Sequence, residues 1–202
     1  MPSKRLNYIA IRFMPHTAAE RRIAMTYEIL FAGFGGQGIL FSGKVAAYAG
    51  LMGDMEVSWL PSYGPEMRGG TANCHVIISD SPVGSPIVNN PTDLVAMNLP
   101  SFTKFEKTVL TGGNIIADSS LISIKPDRDD INFYPIPATQ MASDMEIPKL
   151  ANMIIFGKLI AVSKFATMET VRKAVEKSVP PSKKELIEVN MKAIEAGYNY
   201  IG

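Results

Sequence analysis

The sequence predicts an α/β domain: a three-layer arrangement around a mostly parallel sheet, with a helical C-terminal third. Three observations carry this. Short apolar runs alternate with helix-patterned segments through the first two thirds of the chain. A glycine-rich turn joins the first run to the first helix. From Pro148 onward the pattern is helical with no further strand signal. Strands alternating with helices favour a parallel sheet covered on both faces.

The first strand is Tyr27-Glu-Ile-Leu-Phe-Ala32, a short apolar run that ends in glycines. Gly33-Phe-Gly-Gly-Gln-Gly38 follows as a turn. Ile39 to Leu51 then carries Ile39, Leu40, Val45, Ala46, Ala49 and Gly50 at helical spacing, and its small residues permit close packing on a sheet. Gly53 ends this helix. Glu56 to Leu60 reads as the second strand, stopped by Pro61, and Ser62 to Gly70 as a loop. Thr71 to Ile78 is a third strand, with Ala72, Cys74, Val76 and Ile78 on one face and Asn73 and His75 alternating with them. Ser81 to Asn90 holds turn residues. Leu94 to Met97 is a short strand, Ser101 to Lys107 a helix, Asn114 to Ala117 and Ile131 to Ile136 two more strands.

In the last third, Pro148 to Lys164 is apolar on nearly all sides, which places it deep in the core or at a subunit contact. Met168 to Ser178 is amphipathic, and Pro180-Pro181 breaks it. Ser182-Lys-Lys-Glu185 has the form of a capping box opening a final helix, which Gly197 should stop.

Composition narrows the function. Twenty basic residues face 19 acidic ones, so no broad field attracts nucleic acid or an anionic membrane. The single cysteine, Cys74, rules out an internal disulfide and a cysteine-ligated zinc or iron–sulfur centre from this chain alone, and two histidines argue against a histidine metal cluster. The most apolar stretch is too short for about 30 Å of hydrocarbon. A cytoplasmic location is expected. Residues 1–24, with five basic residues and one acid, read as a basic leader, either a disordered arm or an over-long start; a transit peptide is the alternative. Residues 25–202 are expected to form a single domain.

Gly33-Phe-Gly35-Gly36-Gln37-Gly38 has G-x-G-x-x-G spacing between a strand and a helix, the context of a Rossmann-like dinucleotide site. Such a site also wants an acid near the end of the second strand. Ser58 to Leu60 offers none, and Asp54 and Glu56 stand at the wrong end. This disfavours independent NAD or FAD binding without closing it, and favours tight packing, a phosphate contact or a partner contact for the glycines. The second chemistry-bearing segment is Ser62-Tyr63-Gly64-Pro65-Glu66-Met67-Arg68-Gly69-Gly70, a loop in the place where open α/β sheets bind ligands and partners. Tyr63 and Arg68 are residue types that anchor interfaces. Cys74 reads as a buried small side chain, His75 has no triad partner, Ser119-Ser120 is a turn, and the methionines are adaptable filler.

Together, Phe31 to Gly38 and Ser62 to Gly70, continued by Asn73-Cys74, Gly84-Ser-Pro86 and Met97-Asn98, resemble the gamma subunit of the 2-oxoacid:ferredoxin oxidoreductases that act on pyruvate, 2-oxoglutarate or 2-ketoisovalerate. The likeness runs from Tyr27 to the C-terminus. It implies one subunit of an oxidoreductase of anaerobic metabolism that acts on the oxo group of its donors. Such enzymes decarboxylate a 2-oxoacid on thiamine diphosphate, pass electrons through iron–sulfur clusters to ferredoxin and transfer the acyl group to coenzyme A. The implied partners are alpha, beta and ferredoxin-like delta subunits, which hold the cofactors. This chain should bind none itself and be inactive alone, with 2-oxoglutarate or a branched-chain 2-oxoacid favoured over pyruvate. Gly35, Gly36, Gln37, Gly38, Tyr63, Gly64, Pro65, Glu66, Arg68, Gly69 and Gly70 carry over as assembly or ligand-contact residues, with no catalytic residue among them. An isolated chain could also self-associate through exposed partner surface. Two other readings stay open: a stand-alone nucleotide-binding oxidoreductase and a non-catalytic interaction domain.

Overall fold

The computed structural model describes residues 25–62 and 71–202. The basic leader and the Tyr63 to Gly70 loop lie outside the described residues. The element order is β1 (Thr26–Phe34), α1 (Ile39–Met52), β2 (Glu56–Ser62), β3 (Thr71–Ser79), β4 (Asp93–Ala96), α2 (Leu99–Phe105), β5 (Asn114–Asp118), β6 (Asn132–Ile136), α3 (Ala138–Asp144), α4 (Ala151–Ser163), α5 (Met168–Ser178) and α6 (Leu186–Tyr198).

The strands form one sheet in the order β2-β3-β1-β4-β5-β6. β1, β4, β5 and β6 pair in parallel, and β3 is antiparallel to both β1 and β2. Only β3 is reversed, so the mostly parallel expectation holds. The reversal follows from the short connection between β2 and β3, which is too brief for the crossover that parallel neighbours need.

The two faces are covered unequally. On one, α1, α4, α5 and α6 bury Ile29, Phe31, Cys74, Val76 and Ile116. On the other, a thinner layer led by Phe102 of α2 and Ile122 covers Leu30, Ala32, Leu94, Ala96, Ile115 and Ala117. Alternate residues of β1 thus point into different cores, the period-2 rule of a strand buried on both sides.

α4 lies inside the chain's own core. From Ala151 to Ile160 every residue but Lys158 is buried. Lys158 reaches out between the Tyr134 and Tyr200 rings, at 5.8 and 5.6 Å, and donates to the Tyr200 carbonyl at 2.9 Å.

Four expectations about local structure are corrected. Pro61 does not stop β2; it is a paired residue within it, opposite Cys74. β2 is the sheet's edge strand, where a residue without an N–H is tolerated. Ser182 and Glu185 do not form a capping box: Pro181–Lys183 is a 3-10 turn, and α6 begins after Glu185 without a side-chain cap. Gly197 does not end α6 but lies inside it. A short helix, α3, stands where no element was predicted.

The reason for a glycine at 197 is the α4–α6 crossing. A Cβ on Gly197 would fall 1.7 Å from the Ile154 carbonyl oxygen, and one on Gly157 would fall 1.9 Å from that of Ile194. The two helices touch backbone to backbone through reciprocal glycines. Gly157→Ala and Gly197→Ala are each expected to destabilise the fold by about 3 kcal/mol, since rigid carbonyls cannot step aside. Gly84→Ala, whose Cβ would meet open space, should stay within about 0.5 kcal/mol of the parent. Urea denaturation midpoints of the three variants check this.

Candidate functional site

The glycine turn sits where the sheet's topology opens a crevice. β1 leads into α1 on one face, and its parallel neighbour β4 leads into α2 on the other. Adjacent strands whose following helices diverge leave a cleft at their C-terminal ends, the usual ligand position in open α/β sheets. β1 ends at Phe34, and the turn Gly35–Gly38 leads into α1. Gly36 and Gly38 adopt φ of 93° and 77°, the left-handed region that side-chain-bearing residues avoid. Gln37 N–H bonds back to the Phe34 carbonyl at 3.2 Å and closes the turn.

Gln37 then turns its side chain across the cleft. Its Oε1 accepts from the Phe34 N–H at 2.6 Å and from Asn98 Nδ2 at 3.1 Å, while its Nε2 donates to the Met97 carbonyl at 2.9 Å. One carboxamide thereby joins the end of β1 to the end of β4. Asn98 is buried and also caps α2, its Oδ1 accepting from the Ser101 N–H at 2.8 Å. The far side of the turn is held by Asn152 of α4. Its Nδ2 donates to the Gly38 carbonyl and to Ser42 Oγ, both at 3.2 Å. A Cβ on Gly38 would strike that amide at 2.4 Å.

A dinucleotide site does not fit this arrangement, for a reason beyond the missing acid. In a dinucleotide fold the strand next to β1 on that side is the second strand, whose end carries the ribose-binding acid. Here the antiparallel β3 intervenes between β1 and β2, so the end of β2 is one strand too far away.

Of the sequence-predicted residues, Gly35, Gly36, Gln37 and Gly38 are placed together at this cleft. Tyr63, Gly64, Pro65, Glu66, Arg68, Gly69 and Gly70 lie outside the described residues. The residues flanking them are at the same end of the sheet: Thr71 pairs with Phe34, and Ser62 with Asn73. Phe34 and Leu99, the large apolar residues beside the turn, are both exposed.

The remaining reactive groups are spent internally. Cys74 is fully buried, accepts from Trp59 Nε1 at 2.9 Å, and its thiol is pushed up to about 12 by burial, against the smaller lowering effect of the indole hydrogen bond. It is neither a nucleophile nor a metal ligand at neutral pH. His75 Nδ1 accepts from the Val88 N–H at 3.2 Å, and burial lowers its pKa. Asp118, a buried carboxylate at the ligand-binding end of β5, was not singled out from sequence. It holds the Ser120 and Thr139 N–H groups and, at 2.5 Å, the Thr139 hydroxyl, so it builds the following turn and the start of α3. The Ser119-Ser120 turn signal pointed to it. Among the described residues no group of three or more His, Cys, Asp or Glu could hold a metal ion. No described helix is long and apolar enough to cross a membrane.

The cleft at the end of β1 is bridged by the chain's own side chains, and the glycines beside it serve backbone geometry. Comparison with known proteins gives the family. Residues 28–200 match the model of the pyruvate ferredoxin/flavodoxin oxidoreductase family, and the chain belongs to that family. It is 36% identical to the 2-oxoglutarate synthase subunit KorC of Methanocaldococcus jannaschii over 182 residues, covering 89% of this chain and 96% of that one. It is also 36% identical to the ketoisovalerate oxidoreductase subunit VorA of Methanothermobacter thermautotrophicus over 170 residues, 84% of this chain but 35% of that longer protein. Among solved structures, the gamma subunit of a keto/oxoacid ferredoxin oxidoreductase from Geobacter sulfurreducens matches with a TM-score of 0.74 at 29% identity, covering 85% of this chain and 96% of that one.

Two outcomes follow. Gln37→Ala strands the buried Asn98 amide and the Phe34 N–H, and should cost about 1–3 kcal/mol in thermal unfolding. The thiol of Cys74 is raised above its unfolded value of about 8.5. Its burial therefore stabilises fully below that pH, and the stability is lost as pH rises from there towards about 12. Cys74→Ala should flatten that alkaline decline in a pH series of urea midpoints, and the native thiol should resist labelling at pH 8.

Proposed function

We propose that this chain is the gamma-type subunit of a coenzyme A-dependent 2-oxoacid:ferredoxin oxidoreductase, with residues 25–202 as its one domain. The observation that carries this is the 36% identity spread over nearly the whole length of a 2-oxoglutarate synthase subunit. The substrate is 2-oxoglutarate or a branched-chain 2-oxoacid, supported by the names of the two relatives. The enzyme acts in the cytoplasm.

In this reading the cofactors sit in the partners. An iron–sulfur cluster needs several cysteine thiolates, and the chain has one cysteine, which is buried and bonded to Trp59. The residues here do not fit a cluster, and thiamine diphosphate and coenzyme A chemistry is assigned to the assembled complex. Alpha and beta subunits and a ferredoxin-like delta subunit complete it, and ferredoxin takes the electrons. The role of this chain is assembly and shaping of the active-site surroundings. Gly35, Gly36, Gln37 and Gly38 fix one edge of the contact surface, and Tyr63, Gly64, Pro65, Glu66, Arg68, Gly69 and Gly70 supply the adjoining loop. The exposed Phe34 and Leu99 belong to the same surface and explain any self-association of the isolated chain.

Reconstitution tests the reading. The purified chain alone should show no coenzyme A-dependent reduction of methyl viologen with 2-oxoglutarate, 2-ketoisovalerate or pyruvate. Adding it to the separately purified partner subunits should restore the activity with one of the first two. Full activity in its absence would overturn the assignment; activity with pyruvate alone would overturn the substrate.

A further inference from the structure

A second candidate site lies at the opposite end of the sheet, where the parallel strands begin. There Thr26, Tyr27, Thr111, Gly112, Leu110 and Val162 surround a cavity of about 340 Å³. Its innermost charged group is Asp93, the first residue of β4 and only 1% exposed. The carboxyl group receives three hydrogen bonds, all from neutral donors. Asn114 Nδ2 donates to Oδ1 at 2.8 Å, Thr92 Oγ1 donates to Oδ2 at 2.7 Å, and Ser163 Oγ donates to Oδ1. The Thr92 proton is shared with the Glu28 carbonyl at 3.2 Å. Asn114 is itself held by Asn132 of β6 at 3.2 Å. This ladder of polar side chains runs across the starts of β6, β5 and β4 and reaches α4 through Ser163.

Among the described residues no Lys, Arg or His lines the cavity. Arg128, whose partner Asp130 also accepts from the Thr111 hydroxyl at 2.7 Å, is committed to that carboxylate through a 2.6 Å ion pair. A carboxylate taken out of water without a cation is costly, and Oδ2 retains acceptor capacity beyond its one hydrogen bond. The charge is felt in the cavity: the hydroxyl of Tyr27, raised first by burial, is raised further by Asp93.

We propose that this cavity binds an organic cation, a guanidinium or primary ammonium head group, whose charge pairs with Asp93 and whose apolar stem lies against Tyr27, Leu110 and Val162. The lining fits that class: one buried carboxylate, an aromatic ring, hydroxyls and aliphatic walls. The volume is several times the roughly 30 Å³ share of one water, so it suits a head group with its stem better than a bare ion. The cation has two sources, a free small amine or a basic side chain of a partner subunit.

The test is a titration of the full chain with methylguanidinium chloride at constant ionic strength, followed by amide NMR shifts, with neutral methylurea as control. Saturable shifts confined to Gly112, Gly113, Asn114 and Ser163 are expected with the cation alone. Asp93→Asn should weaken binding at least about tenfold, equivalent to about 1.4 kcal/mol. Because a change at a buried site can impair folding, Leu110→Arg on the exposed rim is the second variant. Its tethered guanidinium should abolish the titration and raise the melting temperature. Equal shifts with methylurea, no saturation, or full binding in a folded Asp93→Asn chain would overturn the proposal. Assembly then separates the sources. If a partner side chain fills the cavity, methylguanidinium and Leu110→Arg both weaken association with the partner subunits; if a free amine does, association is unchanged. The titration uses this chain alone, so its outcome is independent of the subunit assignment.

Discussion

The side chain of Gln37 closes the cleft between the ends of β1 and β4. β1 and β4 are parallel neighbours whose helices leave on opposite faces, and without a bridge their C-terminal ends would expose an unpaired N–H, a carbonyl and a buried asparagine. Gln37 satisfies all three at once. It can do so only because Gly36 and Gly38 take left-handed backbone conformations that aim residue 37 back across the turn. The same turn starts α1, and α1 is pinned on its other side by Asn152 of α4. The position of the turn is therefore fixed from both layers.

The scaffold behind this turn is rigid for a complementary reason. α4 meets α6 through Gly157 and Gly197, close enough for backbone contact, and α4 in turn presents Asn152 to the turn and Ser163 to Asp93. One buried helix thus connects the two ends of the sheet. At the first end the Gln37 carboxamide is engaged at both its oxygen and its nitrogen, while Asn152 Oδ1 and Ser101 Oγ have no partner among the described residues. At the second, a carboxyl group has only neutral partners, which suits a ligand that brings its own charge. The reversal of β3 separates this fold from dinucleotide-binding relatives in appearance: the glycine spacing is shared, but the neighbouring strand that would carry the ribose acid is not.

Much of this was legible in the sequence, and the exceptions have physical causes. The strands and most helices followed apolar periodicity because both faces of the sheet are covered. Pro61 misled because a proline looks the same in an edge strand as at a strand's end; only sheet order distinguishes them. Gly197 misled because a glycine needed for close helix contact and a glycine that stops a helix are the same residue. Ser182 and Glu185 had capping-box spacing, but the prolines before them impose a 3-10 turn first. The glycine turn was found, yet the inward use of Gln37 was not, because its partners Met97 and Asn98 are about sixty residues away. The Asp93 ladder was invisible for the same reason: Thr92, Asn114, Asn132 and Ser163 share no local pattern. The family resemblance rested on two segments, one of which lies outside the described residues.

The glycine turn is closed by the chain's own glutamine and does not serve a dinucleotide. Calorimetric titration of the isolated chain with NADH, NADPH and FAD tests it most directly. No saturable heat is expected with any of the three up to millimolar concentration. Micromolar binding of one of them, lost in Gly36→Ala or Gly38→Ala, would contradict it.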